Sequence, residues 1–132
     1  MSDYILPEVW ENPTSMGGAW GGLNQPTAGA RFEQNLPKGD HPFQLYTLPT
    51  PNGIKATIML EELKELGVTQ AGYDAYRIKI GDGDQFGSDF VSINPNSKIP
   101  AMMDYSEDQP VRVFESANIL LYLAEKFGKL IP

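Results

Sequence analysis

The sequence predicts an α/β domain of order βαβ–ββα behind an irregular N-terminal extension, and three observations carry that expectation. A β-type run, Phe43 to Leu48, leads straight into a Thr-Pro helix start at Thr50-Pro51. An alternating stretch, Tyr73 to Ile80, supplies a second strand once the first helix has ended. Two short apolar runs on either side of Ser106-Glu107-Asp108 then read as a hairpin, and one strongly apolar helix follows it.

Taken in order, residues 1–41 form the arm. Gly17, Gly18, Gly21, Gly22, Pro26, Gly29, Pro37 and Gly39 punctuate it, and neither a period of 2 nor one of 3.6 is sustained. Trp10 and Trp20 are the side chains with enough apolar area to pin such an arm to a domain. The first helix begins with Thr50 as N-cap and Pro51 at the first position. It runs to about Leu66, stacks Met59, Leu63 and Leu66 on one face, and stops at Gly67. After the second strand come a loop, Gly81 to Gly87, a short turn or helix at Ser88 to Ile93, and a polar connection, Asn94 to Lys98. The hairpin pairs Ala101–Tyr105 with Pro110–Phe114, and the last helix spans Ser116 to Phe127 before Gly128. That helix is apolar nearly all round, which asks for burial on more than one side. A βαβ crossover extended by a hairpin and covered by a helix is a thioredoxin-like layout.

Composition narrows the function. Apolar and aromatic residues are 41% of the chain, enough for one core, and 10 basic against 17 acidic residues give a net charge of −7. That balance argues against a nucleic-acid partner. There is no cysteine, so no disulfide, thiolate-bound metal or thiol chemistry uses the chain's own atoms, and His41 as lone histidine makes a zinc site improbable. No apolar run suits a secretory leader or a membrane span, and the expectation is a cytoplasmic protein with no membrane partner. Asp82-Gly83-Asp84-Gln85-Phe86-Gly87 starts like a calcium loop, but Phe86 stands where position five needs Asp or Asn, and Ile93 where position twelve needs Glu.

Three positions carry chemistry. At Thr50-Pro51-Asn52-Gly53 a strand meets a helix N-terminus, whose free N–H groups and positive dipole end favour a thiolate; plain capping by Thr50 is the simpler role. Lys98-Ile99-Pro100 precedes a strand, where a cis proline would leave the Ile99 backbone open to pair with an added peptide strand. Glu115-Ser116 opens the last helix, suited to a carboxylate through backbone N–H groups and the serine hydroxyl, or to capping alone. Placed together by the fold, the three match a γ-glutamyl-cysteinyl peptide, which is glutathione. Tyr46 competes as a catalytic hydroxyl, but it sits too early for the helix turn and reads as a core tyrosine.

LNQP (23–26), TPNG (50–53), IMLEEL (58–63), IGDGDQF (80–86), NPNSKIPA (94–101) and RVFESANILLYLAEKFG (112–128) together give the chain a resemblance to the glutathione transferases. The NPNSKIPA and FES segments are common to many classes. LNQP, TPNG and IGDGDQF bring the match to the bacterial Nu class, of disulfide-bond reductase type. The resemblance implies that Thr50 and Asn24 lie near the glutathione sulfur as the catalytic pair. It implies that Pro51, Asn52 and Gln85 contact the peptide, that Ile99 pairs with its backbone, that Glu115 and Ser116 hold its γ-glutamyl end, and that Lys98 helps electrostatically. In this class no tyrosine, serine or cysteine of the protein acts as nucleophile, which suits a chain without cysteine. Glutathione is then the co-substrate, with no metal, and small or peptide disulfides are the other partners.

The same resemblance implies a homodimer in the full-length protein and a helical domain after this one. The expected organisation is an arm over 1–41, a glutathione-binding domain over 42–128, and the start of a linker over 129–132, with full activity expected of the longer protein. The competing expectation is a non-catalytic transferase-like binding module. Such a module would need Ile99 and Glu115-Ser116 but not Asn24, Thr50 and Gln85 together.

Overall fold

In the computed structural model, residues 5–9, 18, 21–24 and 28–131 are described. Trp10 and Trp20, expected to pin the arm, lie outside the described residues. Four strands, β1 (Phe43–Thr47), β2 (Tyr73–Arg77), β3 (Ala101–Asp104) and β4 (Val111–Phe114), form one sheet in the order β2-β1-β3-β4. β1 runs parallel to β2 and antiparallel to β3, and β3 and β4 are antiparallel. The helices are α1 (Gly53–Glu65), α2 (Ser88–Ile93) and α3 (Ser116–Phe127).

Alternation along β1 assigns the two faces. Phe43 and Leu45 are fully buried among Ala56, Leu60 and Leu63 of α1 and Ile119 and Leu123 of α3, with Met102 and Val113 from the neighbouring strands. Each such leucine contributes roughly 1.5–3 kcal/mol by leaving water. Tyr46 on the opposite face packs with Ile78, Phe90, Ile93 and Ala101, so α2 covers that side. The thioredoxin-like layout expected from the sequence is the one observed.

Element ends differ from the sequence expectation by a residue or more. β2 stops at Arg77 instead of Ile80 because its partner β1 stops at Thr47; one further bond, Ile78 N–H to the Thr47 carbonyl at 2.8 Å, closes the pair. α1 ends at Glu65, where the Gly67 and Val68 amides bond back to the Lys64 and Leu63 carbonyls at 2.9 and 3.0 Å. Short 3-10 turns at Thr69–Ala71 and Asp84–Phe86 were not expected from the sequence pattern. The hairpin strands are each one residue shorter than expected, leaving 105–110 as the connection.

The later part of the arm is joined to the domain by polar contacts. Phe32 bridges to Gly87, the Ser88 amide bonds to the Phe32 carbonyl at 2.9 Å, and the Arg31 amide bonds to the Phe86 carbonyl at 2.8 Å. The Gln34 side chain occupies the space a Cβ on Gly87 would need, within 2.3 Å, so this glycine is what lets the arm approach. Farther along, Gln44, buried on the α2 side of the sheet, bonds to the Gly39 amide, the His41 carbonyl and Asp74. Hydrogen bonds from His41 and Gln44 hold the Asp74 carboxyl down at about 2.

Candidate glutathione site

Strand register brings the predicted positions to one end of the sheet. Tyr46 pairs with Ala101, and Ala101 pairs with Phe114. The chain leaving β1 toward Thr50, the chain entering β3 from Ile99, and the chain leaving β4 at Glu115 therefore share that end. Thr47 pairs with Arg77, so the loop from β2 that carries Gln85 departs from the same end.

Thr50 is half-buried, and its hydroxyl accepts a hydrogen bond from the Gly53 amide at 3.0 Å while its carbonyl accepts one from Ile54 at 3.0 Å. That is N-cap bonding, with Pro51 at the first position, although the regular helix is counted from Gly53. Gly53 permits the tight turn: a Cβ there would stand 2.0 Å from the Leu48 carbonyl oxygen. Pro51 and Asn52 are exposed, and the Asn52 side-chain oxygen accepts a bond from Lys55 at 2.9 Å.

Ile99 is half-buried and joined to Pro100 by a cis peptide bond. Among the described residues no backbone group takes its amide or carbonyl. Before it, Asn94 is buried and fixes the loop by donating to the Lys98 carbonyl at 2.6 Å and accepting from the Asn96 amide at 3.0 Å. At the start of α3, Glu115 is exposed with φ at +69°, a backbone region that non-glycine residues rarely occupy. Its carbonyl accepts from the Ile119 amide at 2.9 Å, and no side-chain bond caps the helix, so neither Glu115 nor Ser116 is consumed by capping.

Gln85 is placed differently from an open surface contact. It is 2% exposed, and its side-chain oxygen is buried with no hydrogen-bond partner among the described residues. An orphaned buried acceptor is costly. Asn24, from the arm, is exposed and accepts a hydrogen bond from the Lys98 ammonium through its side-chain oxygen; the same ammonium donates to the Leu23 carbonyl at 3.2 Å. The Arg31 guanidinium donates to the Asn24 carbonyl at 3.4 Å and stacks on Phe86 at 3.8 Å. Arg31 and Gln34 were not singled out from the sequence. A glycine flanking the Asp82–Phe86 loop was their only signal.

Tyr46 is core, as expected. It is 3% exposed, donates to the Pro37 carbonyl at 2.8 Å and stacks on Tyr76, and burial first of all pushes its hydroxyl up to about 12. A cavity of about 640 Å³ lies at the other end of the sheet, beside His41, Tyr73 and Asp74, away from these residues. Among the described residues no group of three or more His, Cys, Asp or Glu could hold a metal, and no helix is long and apolar enough to cross a membrane.

Residues 51–126 match the family described as glutathione S-transferase, N-terminal domain. The chain belongs to this family. Over 129 residues it is 61% identical to the disulfide-bond oxidoreductase YghU of Escherichia coli, covering 98% of this chain and 45% of that one. A crystal structure of glutathione transferase YghU from Streptococcus pneumoniae, complexed with glutathione, superposes with a TM-score of 0.93 at 67% identity, covering 98% of this chain and 50% of that one. A glutathione transferase from Pseudomonas putida with one glutathione disulfide bound per subunit gives a TM-score of 0.64 at 43% identity, over 73% of this chain and 40% of that one. The chain thus spans about half the length of the relatives it matches.

Proposed function

We propose that this chain is the glutathione-binding part of a glutathione-dependent disulfide-bond reductase of the glutathione transferase family. The observation that supports the reading is the register: β1, β3 and β4 are neighbours, and Thr50 follows the end of β1, Ile99 precedes β3 and Glu115 follows β4 at the same end of the sheet. Two strand spacings are about 10 Å. An extended tripeptide covers about the same length. A peptide laid across that end would put its thiol at the α1 N-terminus, its backbone on Ile99 and its γ-glutamyl carboxylate at the α3 N-terminus. Pro51 and Asn52 would line the thiol end, and Gln85 would contact the peptide. Asn24 and Thr50 would donate to the sulfur.

Those donors and the helix dipole favour the thiolate, the form that attacks disulfides. The bound thiolate attacks one sulfur of the substrate disulfide, forms a mixed disulfide, and expels the other sulfur as a thiolate that takes up a proton. A second glutathione thiolate then attacks the glutathione sulfur of that mixed disulfide. The products are glutathione disulfide and the second substrate thiol, so two electrons pass from two glutathiones to one disulfide. The chain contributes no sulfur, in keeping with its lack of cysteine. Dependence on a reduced glutathione pool suits the cytoplasm. The resemblance supports a homodimer for the whole protein, with small or peptide disulfides as substrates.

Calorimetric titration with reduced and oxidised glutathione, alongside Ile99→Pro, tests the reading. We expect saturable binding of both that the substitution weakens at least tenfold, since the amide it removes is the donor to the peptide. Absence of binding at millimolar ligand would sink the proposal. Binding with no disulfide reduction in the whole protein would leave a binding module instead.

A further inference from the structure

The contact between Lys98 and Asn24 decides which face of the Asn24 amide the site sees. Lysine is a donor only, so the atom it holds has to be the side-chain oxygen. Turning the amide over would set its NH2 against an ammonium. The same ammonium also bonds to the Leu23 carbonyl at 3.2 Å, and the Arg31 guanidinium takes the Asn24 backbone carbonyl at 3.4 Å. Asn24 is thus held on its side-chain oxygen and its backbone oxygen by two cations. Its NH2 has no partner among the described residues and is directed away from Lys98.

We propose that Lys98 is the positioning residue that aims Asn24, so that the Asn24 NH2 is the group offered to the glutathione sulfur. This rests on the glutathione reading above and adds a division of labour to it. An NH2 donor stabilises a thiolate, whereas the amide oxygen in its place would repel one. Lys98 adjoins Ile99 in sequence, and its charge is spent on the arm instead of being left free for the ligand. The charged side chains that bond to Asn24 are Lys98 and Arg31. A surface hydrogen bond with no functional consequence is the alternative, since exposed charged contacts are commonly worth under about 1 kcal/mol.

The test uses the longest chain the gene encodes and two readouts. The first is the pKa of bound glutathione, read from ultraviolet thiolate absorbance against pH. Lys98→Met and Asn24→Ala are each expected to raise it by about one unit, and the double variant to raise it no further than Asn24→Ala alone. Lys98→Arg should keep the original value, because a guanidinium also donates to the amide oxygen. Additive shifts would mean that Lys98 acts on the ligand directly, and a thiol pKa unmoved by Lys98→Met would mean a purely structural contact; either overturns the proposal. The second readout, amide hydrogen exchange over residues 21–24 without ligand, should speed up in Lys98→Met, and unchanged protection overturns the proposal too. Failure of the unsubstituted protein to bind glutathione is a separate result. It sinks the functional reading, and with it the thiol-directed role of Lys98, whatever the exchange shows.

Discussion

Ser97 sits in the left-handed backbone region, φ +54°, with its hydroxyl buried and without a hydrogen-bond partner among the described residues. The conformation costs a non-glycine residue roughly 1–2 kcal/mol, and the orphaned hydroxyl about 1–3 kcal/mol more. Glycine would relieve both, against about 0.5–1 kcal/mol of extra chain entropy. The balance favours substitution, so Ser97→Gly should stabilise the protein by about 1 kcal/mol in a denaturant titration. A loss of stability would show that the serine hydroxyl has a partner in solution. At this scale the sequence was legible where a residue's role is local. Thr50 reads as a cap from its place before a proline, and the cap bonds are present. Ser97 and Gln85 were not legible in the same way, because a positive φ and an unmet acceptor come from packing that no short window contains.

Between elements, Asp104 ties the hairpin to α3. It is fully buried at the end of β3 and accepts from the Ser106 amide and the Tyr122 hydroxyl, both at 2.7 Å, and from the Lys126 ammonium at 3.1 Å. Tyr122 and Lys126 are one helical turn apart, so a single carboxylate reaches both. Burial alone would raise its carboxyl, but the bonds from Ser106, Tyr122 and Lys126 outweigh that and leave it below the usual carboxylate range. A depressed native value means that the unfolded chain binds the proton first as pH falls. The stabilisation is complete above about pH 4 and is lost as pH drops through the lower native value. Asp104→Asn should cost about 2 kcal/mol at neutral pH, less than a fully buried pair because Lys126 is 19% exposed and keeps Glu107. It should also flatten the acid limb of a stability–pH curve below pH 4. A parallel curve, shifted but equally steep, would mean that the carboxylate is not the group titrating. From the sequence Asp104 was only one residue of a short strand. Its importance appears when α3 folds back over the hairpin, a contact set by strand order and not by any neighbouring residue.

For the whole molecule, the apolar excess of the last helix has a spatial counterpart. Ile119, Leu123 and Ala124 face the core, but Leu121 is 47% exposed, as are Ile54 and Ile58 of α1 at 44% and 55%. Shallow apolar hollows of about 230 and 330 Å³ line these helices, one beside Met59 and Leu121, the other beside Ile54 and Ile58. The reading of α3 as apolar nearly all round was therefore correct about composition, while this chain buries only one side of it. Apolar area left in water contributes nothing to folding. Ile58→Lys and Leu121→Lys in this chain should then each change stability by no more than about 0.5 kcal/mol. Each should also reduce the fluorescence of a hydrophobic dye that binds exposed apolar surface. Should either substitution cost more than about 2 kcal/mol, that side chain would be buried in solution, because only a side chain removed from water loses so much when a charge replaces it.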